Sequence, residues 1–157
     1  MILLVHHKET VVEIVDLESD QVLENSLENP MKALFNIASI YPERILIWCH
    51  KDHKTNLNIE GIKTFFYLKN MMFSYSNQQY LPSQIGYVES SPFIKVNSNV
   101  TYPTWLMSAQ VGAIYASQLL KFNGNIAKNT SFGYALNSIS KTGMPKGLFC
   151  YYNPNLK

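Results

Sequence analysis

The chain has 157 residues, the ordinary length of one domain, so we predict a single α/β domain over residues 1–157. Its residues are 46% apolar and 15% charged, a balance that excludes an intrinsically disordered chain. The net charge of +2 comes without a long run of basic residues, so no nucleic-acid partner is expected.

The chain begins with a short apolar segment, Met1–Val5, which ends in the polar residues 6–9. This segment is too short for a signal peptide or a membrane span, so we expect a cytoplasmic protein with no membrane span in this chain. Residues 1–6 and 11–17 have the composition of strands. A turn over residues 8–10 would join them as an N-terminal β-hairpin.

A helix is predicted next, because Asn29 is a favourable N-cap and Pro30 suits the first helical position. Pro42 ends this helix. The unbroken apolar run 45–49 that follows is typical of a strand covered on both faces. A second helix is predicted to begin after Asn58, which can cap it.

Short strands are predicted over residues 71–76, 85–88 and 93–96. Apolar side chains then recur at helical spacing, which predicts the longest helix of the chain, from Trp105 to Phe122.

A last helix carries Phe132, Leu136 and Ile139 on one face. We expect Gly143 to end it as a left-handed residue, since Pro145 blocks its continuation. Residues 147–152 then form the closing strand.

These elements predict an α/β three-layer sandwich, with a central mixed, largely parallel sheet and helices on both faces, plus the N-terminal β-hairpin. The apolar strand over residues 44–49 is expected inside that sheet. Cys49 and Cys150 lie in apolar strand-like runs and are expected to be buried free thiols.

Polar residues that suit ligand binding follow the 45–49 strand directly. They are His50, Asp52 and His53. In open α/β sheets, ligands bind beyond the carboxyl ends of strands. Mg²⁺ and Mn²⁺ prefer carboxylate oxygen, which only Asp52 offers here. The alternative is a solvated polar loop in which Asp52 caps the following segment.

Zinc is a second alternative for these side chains. His50 and His53 would bind it together with His6 or His7, although the sequence lacks the closed Cys/His spacing of a structural zinc site.

A further candidate site lies at the start of the predicted long helix. Trp105 could stack on a sugar or a base, while Ser108 and Gln110 could hydrogen-bond a hydroxyl group. Alternatively, Trp105 only packs the start of that helix against the sheet.

Several short motifs, spread over residues 33–134, follow one another along the chain. Ala33 and Asn36 precede the apolar strand, the triplet His50-Lys51-Asp52 ends it, and Gly112-Ala113 and Phe132-Gly133-Tyr134 come later. This order resembles an abbreviated family 2 glycosyltransferase of the GT-A type, in which an acidic metal-binding triplet follows the strand. The segments Leu81–Glu89, Tyr102–Trp105 and Gly147–Tyr151 are also similar to the amino-terminal portion of longer bacterial family 2 glycosyltransferases.

The resemblance implies sugar transfer from a nucleotide-sugar donor, with Mg²⁺ or Mn²⁺ as the cofactor. It assigns Asp52 as the metal ligand and as a catalytic residue. Glu89 is the second candidate catalytic residue, as the carboxylate that could stand in for the family's base if its loop folds back toward Asp52. The substrate-binding residues would be His50, His53, Trp105, Ser108 and Gln110.

The same resemblance implies a degenerate active site. Asn137 stands where the family carries an acidic pair that includes the catalytic base, and no carboxylate follows Glu89. The alternative function is a non-catalytic glycan- or nucleotide-binding domain, or a protein-assembly domain of a larger glycosyltransferase that pairs with itself or with a partner domain.

Overall fold

The computed structural model describes residues 1–77, 99–124 and 130–157, together with the backbone of 80–82 and 93–95. The strand predicted over 85–88 and the predicted catalytic residue Glu89 lie outside these residues.

Ten strands are described. They are β1 (Ile2–His7), β2 (Thr10–Asp16), β3 (Gln21–Val22), β4 (Ile45–His50), β5 (Met71–Tyr75), β6 (Tyr80–Pro82), β7 (Phe93–Lys95), β8 (Tyr102–Pro103), β9 (Val111–Tyr115) and β10 (Phe149–Tyr152). Eight of them form one sheet in the order β3-β2-β1-β4-β9-β5-β10-β8, and β6 pairs with β7.

Four α-helices are described: α1 (Pro30–Ile40), α2 (Ile59–Phe65), α3 (Ala116–Leu119) and α4 (Phe132–Gly143). Short 3₁₀ turns occupy Lys51–Asn56, Leu120–Phe122, Met144–Lys146 and Pro154–Leu156. Among the described residues, no helix is long and apolar enough to cross a membrane.

The mixed α/β class is confirmed, but the prediction of a largely parallel sheet is wrong. Of the seven strand pairings that the described residues make in the large sheet, only β1–β4 and β5–β10 are parallel. The main reason is β9, which runs antiparallel between β4 and β5. Strand β4 lies between β1 and β9, inside the sheet as predicted.

The two faces of the sheet contribute to different apolar clusters. From β4, Leu46 and Trp48 pack in the cluster that holds the buried residues of α1, α3 and α4. Ile47 and Cys49, from the opposite face of the same strand, pack with Ile62 of α2. Both faces of β4 are therefore covered, which explains its unbroken apolar sequence.

The predicted helix from Trp105 to Phe122 is wrong. Residues 111–115 of this range form β9, and the helix that follows, α3, has four residues. Val111 and Ala113 pack on one face of the sheet while Ile114 packs on the other. A segment that is apolar on both faces satisfies helical spacing as well as strand spacing, so periodicity alone misassigned it.

The predicted role of Gly143 is also wrong. Gly143 has a right-handed backbone with φ −81°, and the left-handed residue is Gly147, with φ 92°, after the Met144–Lys146 turn. A Cβ at position 143 would lie 2.7 Å from Leu148 Cδ2. Close packing therefore favours glycine at this helix end.

The predicted helix starts at Asn29 and Asn58 are confirmed. The Asn29 side chain accepts a hydrogen bond from the Lys32 N–H at 3.0 Å, and Asn58 accepts one from the Gly61 N–H at 2.9 Å. Cys49 and Cys150 are buried free thiols, as predicted. Burial raises the pKa of Cys49 to about 12 and that of Cys150 to about 11.

Strands β1 and β2 pair antiparallel across the two residues Lys8 and Glu9. Both have positive φ, 48° and 61°, as a type I′ turn requires. The Glu9 carboxylate accepts the Phe132 N–H at 2.9 Å, so this turn also holds the first turn of α4.

Candidate functional site

The strands β1, β4, β5 and β10 run in one direction, so their carboxyl ends lie along one edge of the sheet. We call this the carboxyl-terminal edge. It carries His6 and His7 from β1, His50 from β4, Tyr75 from β5 and Tyr152 from β10. All four histidines of the chain lie in β1 or within three residues of the end of β4. Polar and aromatic groups that are distant in sequence therefore meet at this edge.

His7 and His50 form a direct side-chain contact across β1 and β4, with 3.0 Å between His7 Nδ1 and His50 Nε2. His50 Nδ1 accepts the Asp52 N–H at 3.3 Å and caps the 3₁₀ turn that follows β4. A neutral His50 therefore carries its proton on Nε2 and donates it to Nδ1 of His7.

Asp52 lies in the first turn after β4, and its side chain is 71% exposed. Its Oδ2 is 3.3 Å from His50 Nδ1, so the carboxylate is placed to pair with the imidazole when His50 is protonated. The alternative in which the Asp52 side chain caps the following turn is not what the structure shows, because His50 supplies that cap.

Residues 108–110 approach β1 and β4 through three consecutive backbone carbonyls. The Ser108 carbonyl accepts the Trp48 indole N–H at 3.0 Å, and the Gln110 carbonyl accepts the His50 N–H at 2.8 Å. The Ala109 carbonyl lies 2.6 Å from Nε2 of His6, which must therefore carry the proton. The predicted residues Ser108 and Gln110 are thus placed beside His50.

The side chains of Ser108 and Gln110 shape this segment as well. Ser108 Oγ accepts the Gln110 N–H at 3.0 Å, and Gln110 Oε1 accepts the Asn77 N–H at 3.2 Å. The amide nitrogen of Gln110 is the part of that side chain with the chemistry to donate a hydrogen bond to a ligand.

Trp105 lies in a different place along the sheet. The adjacent Thr104 N–H bonds the Cys150 carbonyl in β10 at 3.0 Å, and β9 and β5 separate β10 from β4. The Trp105 side chain is half-buried. The structure therefore brings His50 close to the segment that carries Ser108 and Gln110. The backbone next to Trp105 is instead bound to β10, three strands along the sheet from β4.

A polar aromatic cavity of about 470 Å³ lies at the ends of β5 and β10. Tyr75, Asn77, Tyr152 and Lys157 are among its lining residues. The Tyr75 hydroxyl donates to Asn77 Oδ1 at 2.9 Å, and Lys157 Nζ lies 4.9 Å from the centre of the Tyr75 ring. The ring of His53 is 6.3 Å from that of Tyr75, which connects the cavity to the predicted site.

Sequence reasoning missed Tyr75 and Tyr152. The signal that could have found them is the one that found His50, namely a position at the carboxyl end of a parallel strand. Their neighbourhood depends on β5 and β10 pairing over a separation of more than seventy residues, which no local pattern reveals.

The environment of His6, His7 and His53 favours their neutral forms. Burial lowers the pKa of His6, and the charges of His50 and His7 act in the same direction. Loss of solvation is the largest cause that lowers the pKa of His7. The positive charges of Lys51, His50 and Lys8 lower it further. Burial also lowers the pKa of His53, helped by the charge of Lys157. Three of the four imidazoles are therefore expected to be uncharged at neutral pH.

Asn137 stands where family 2 glycosyltransferases, which this sequence resembles, have an acidic pair. Its side chain binds the backbone of the segment before β9. Its Oδ1 accepts the Met107 N–H at 2.6 Å. Within the described ranges, no group of three or more His, Cys, Asp or Glu side chains is arranged to hold a metal ion.

Comparison with known proteins finds no family model, no curated protein and no solved structure that matches this chain.

Proposed function

We propose that the chain is a glycosyltransferase-like domain that binds a nucleotide-sugar or a glycan at the carboxyl-terminal edge, with sugar transfer weak or lost. The observation that supports this is the juxtaposition of His50, Gln110 and His53 with the tyrosine-lined cavity beside them. Clefts that bind small molecules combine aromatic walls with a few polar groups in this way.

The cavity has the chemistry of a sugar- or nucleotide-binding cleft. Tyrosine offers an apolar ring face and a hydroxyl group, as a sugar or base requires. The Asn77 amide can hydrogen-bond ligand hydroxyls, and the Lys157 ammonium can pair with a phosphate. His53 and Tyr75 connect this cavity to the Asp52 segment.

Asp52 fits the metal role that the resemblance implies, through its exposed carboxylate. Mg²⁺ is commonly held by one or two carboxylates together with substrate phosphates, so a single aspartate is compatible with a site that the donor diphosphate completes. When bound, such an ion would neutralise charge on the diphosphate leaving group.

Weak turnover is proposed because the described part of the edge lacks a general base in the expected place. A carboxamide such as Asn137 cannot accept the proton of an acceptor hydroxyl, and its oxygen already accepts the Met107 N–H. Glu89 remains the proposed second carboxylate of the site.

We interpret the surrounding fold as a three-layer α/β sandwich that begins with a β-hairpin, and the protein as a cytoplasmic one.

The proposal is tested by titrating Mn²⁺ with a nucleotide-sugar into the wild-type chain and into Asp52→Ala. Binding should be lost or strongly weakened in Asp52→Ala, because the variant lacks the metal-binding carboxylate. Glu43→Ala removes another exposed carboxylate, in the turn before β4, and should bind like the wild type. Identical curves for wild type and Asp52→Ala would instead support the alternative, a non-catalytic protein-assembly domain.

A further inference from the structure

We propose that His7 and His50 form a two-imidazole site for a divalent transition-metal ion of the Zn²⁺ class. The Asp52 carboxylate would accept a hydrogen bond from the ring nitrogen of His50 that does not bind the metal. This site goes beyond the proposed function, because it needs no nucleotide-sugar and takes a different metal from the Mg²⁺ or Mn²⁺ of the donor site.

The geometry of the histidine pair carries the proposal. His7 Nδ1 and His50 Nε2 face each other at 3.0 Å. Two nitrogens bound to one tetrahedral zinc ion at 2.0–2.1 Å are about 3.3 Å apart, so the two atoms need to separate only slightly, while both rings turn until their lone pairs converge on the ion. The two residues lie at the ends of the directly paired parallel strands β1 and β4, which hold their backbones in place.

Metal binding requires one proton to change its place on His50. In the structure described here, Nδ1 accepts the Asp52 N–H, and the proton is on Nε2. When Nε2 binds a metal, the proton moves to Nδ1, which then no longer accepts the Asp52 N–H and instead donates to Asp52 Oδ2, 3.3 Å away. No proton is gained or lost overall. A carboxylate that accepts from a metal-bound histidine is the usual outer partner of such a ligand.

The other groups at the edge determine which nitrogens can take part. His6 Nε2 is already engaged with the Ala109 carbonyl. The charges of Lys8 and Lys51 oppose a cation at this position, but both side chains are exposed, so water and salt screen them.

The chemistry of the donors selects the metal. Imidazole suits Zn²⁺, Ni²⁺ and Cu²⁺, whereas Mg²⁺ prefers oxygen ligands. With two protein ligands, two positions of a tetrahedral ion stay open to water or to a bound substrate, one more than in catalytic zinc sites with three protein ligands.

The test is a calorimetric titration of ZnCl₂ into the full chain, freed of metal with a chelator and without any nucleotide-sugar. We expect one zinc ion per chain and no heat from MgCl₂ at the same concentration. His7→Asn and His50→Asn should each abolish binding, while His53→Asn, which removes a neighbouring imidazole, should bind like the wild type. Asparagine at position 50 can still accept the Asp52 N–H, and circular dichroism with chelator present checks that each variant is folded.

Asp52→Asn provides a second measurement that does not depend on removing a ligand. Loss of the outer carboxylate should weaken zinc binding by about 10- to 100-fold. The proposal is overturned if the wild type binds no zinc, if His7→Asn binds as the wild type does, or if His53→Asn abolishes binding. Each of these results leaves the nucleotide-sugar titration unaffected, so failure here is distinguishable from failure of the proposed function.

Discussion

At the level of single residues, Gly112 in β9 packs so closely against the Trp48 ring that no larger side chain fits without a shift of the ring. A Cβ at position 112 would lie 2.0 Å from Cζ2 of the Trp48 ring, and both residues are buried. We expect Gly112→Ala to lower the free energy of unfolding by about 1–3 kcal/mol, because the indole must move within a closely packed core. Urea denaturation measures the change.

Gly133→Ala is the matched control for that substitution. Gly133 lies in the first turn of α4, and nothing lies within 4 Å of an added Cβ. Alanine is the better helix former, so stability should stay equal or rise by up to about 1 kcal/mol. If both variants unfolded like the wild type, the packing assigned to Trp48 and Gly112 would be incorrect.

The ion pair between Arg44 and Asp16 predicts how stability depends on pH. The Arg44 guanidinium bonds both Asp16 carboxylate oxygens, at 3.3 Å and 3.2 Å, and this lowers the pKa of Asp16 from its usual 3.8. A carboxyl group whose pKa is lower in the folded chain stabilises the fold above its ordinary pKa. That stability is lost as the pH falls through the lowered pKa.

Asp16→Asn should therefore flatten the acid side of the stability curve below about pH 4, since the variant has no carboxylate to protonate there. Thermal unfolding across a pH series measures this. Arg44→Gln should flatten the same region, because it removes the partner that shifts the pKa. An unchanged acid limb in both variants would contradict the role given to this pair.

At the element scale, α1 depends on its N-cap. The Asn29 side chain bonds the Lys32 N–H at 3.0 Å, which satisfies one of the free donors at the helix start. Asn29→Ala should therefore destabilise the fold by about 1 kcal/mol, measured by chemical denaturation. Asn36→Ala, at an exposed position inside the same helix, should instead be neutral or add a few tenths of a kcal/mol. Equal effects at both positions would show that the cap does not matter.

At the scale of the whole molecule, the two thiols report whether the chain unfolds as one unit. Cys49 and Cys150 belong to apolar clusters on opposite faces of the sheet. If residues 1–157 form the predicted single domain, both thiols should become reactive only when the whole fold opens. Their labelling rates should then rise together with denaturant.

A cysteine introduced at the exposed position Ser39 is the control for this experiment and should react at once under native conditions. Labelling of one native thiol well before the other would show that the two faces open separately. Rapid labelling of both in buffer would contradict their burial.

Features that depend on residues close together in the chain could be predicted from the sequence alone. Asn29 and Pro30 define the start of α1, Asn58 defines the start of α2, and the apolar run of β4 shows that both of its faces are covered. These predictions succeeded because caps and burial patterns act within a few residues. The same reasoning placed His50, Asp52 and His53 at the end of a strand, as the structure has them.

Which elements become neighbours in space follows from tertiary packing and could not be predicted from the sequence. Residues 111–115 have apolar side chains at spacings that fit a helix or a strand, and insertion between β4 and β5 makes them a strand. The contact of His7 with His50 requires β1 and β4 to pair, and the tyrosine cavity requires β5 and β10 to pair. Such contacts depend on which strands become neighbours in the folded sheet, and the free energy that selects those neighbours comes from burying whole faces rather than from any local motif.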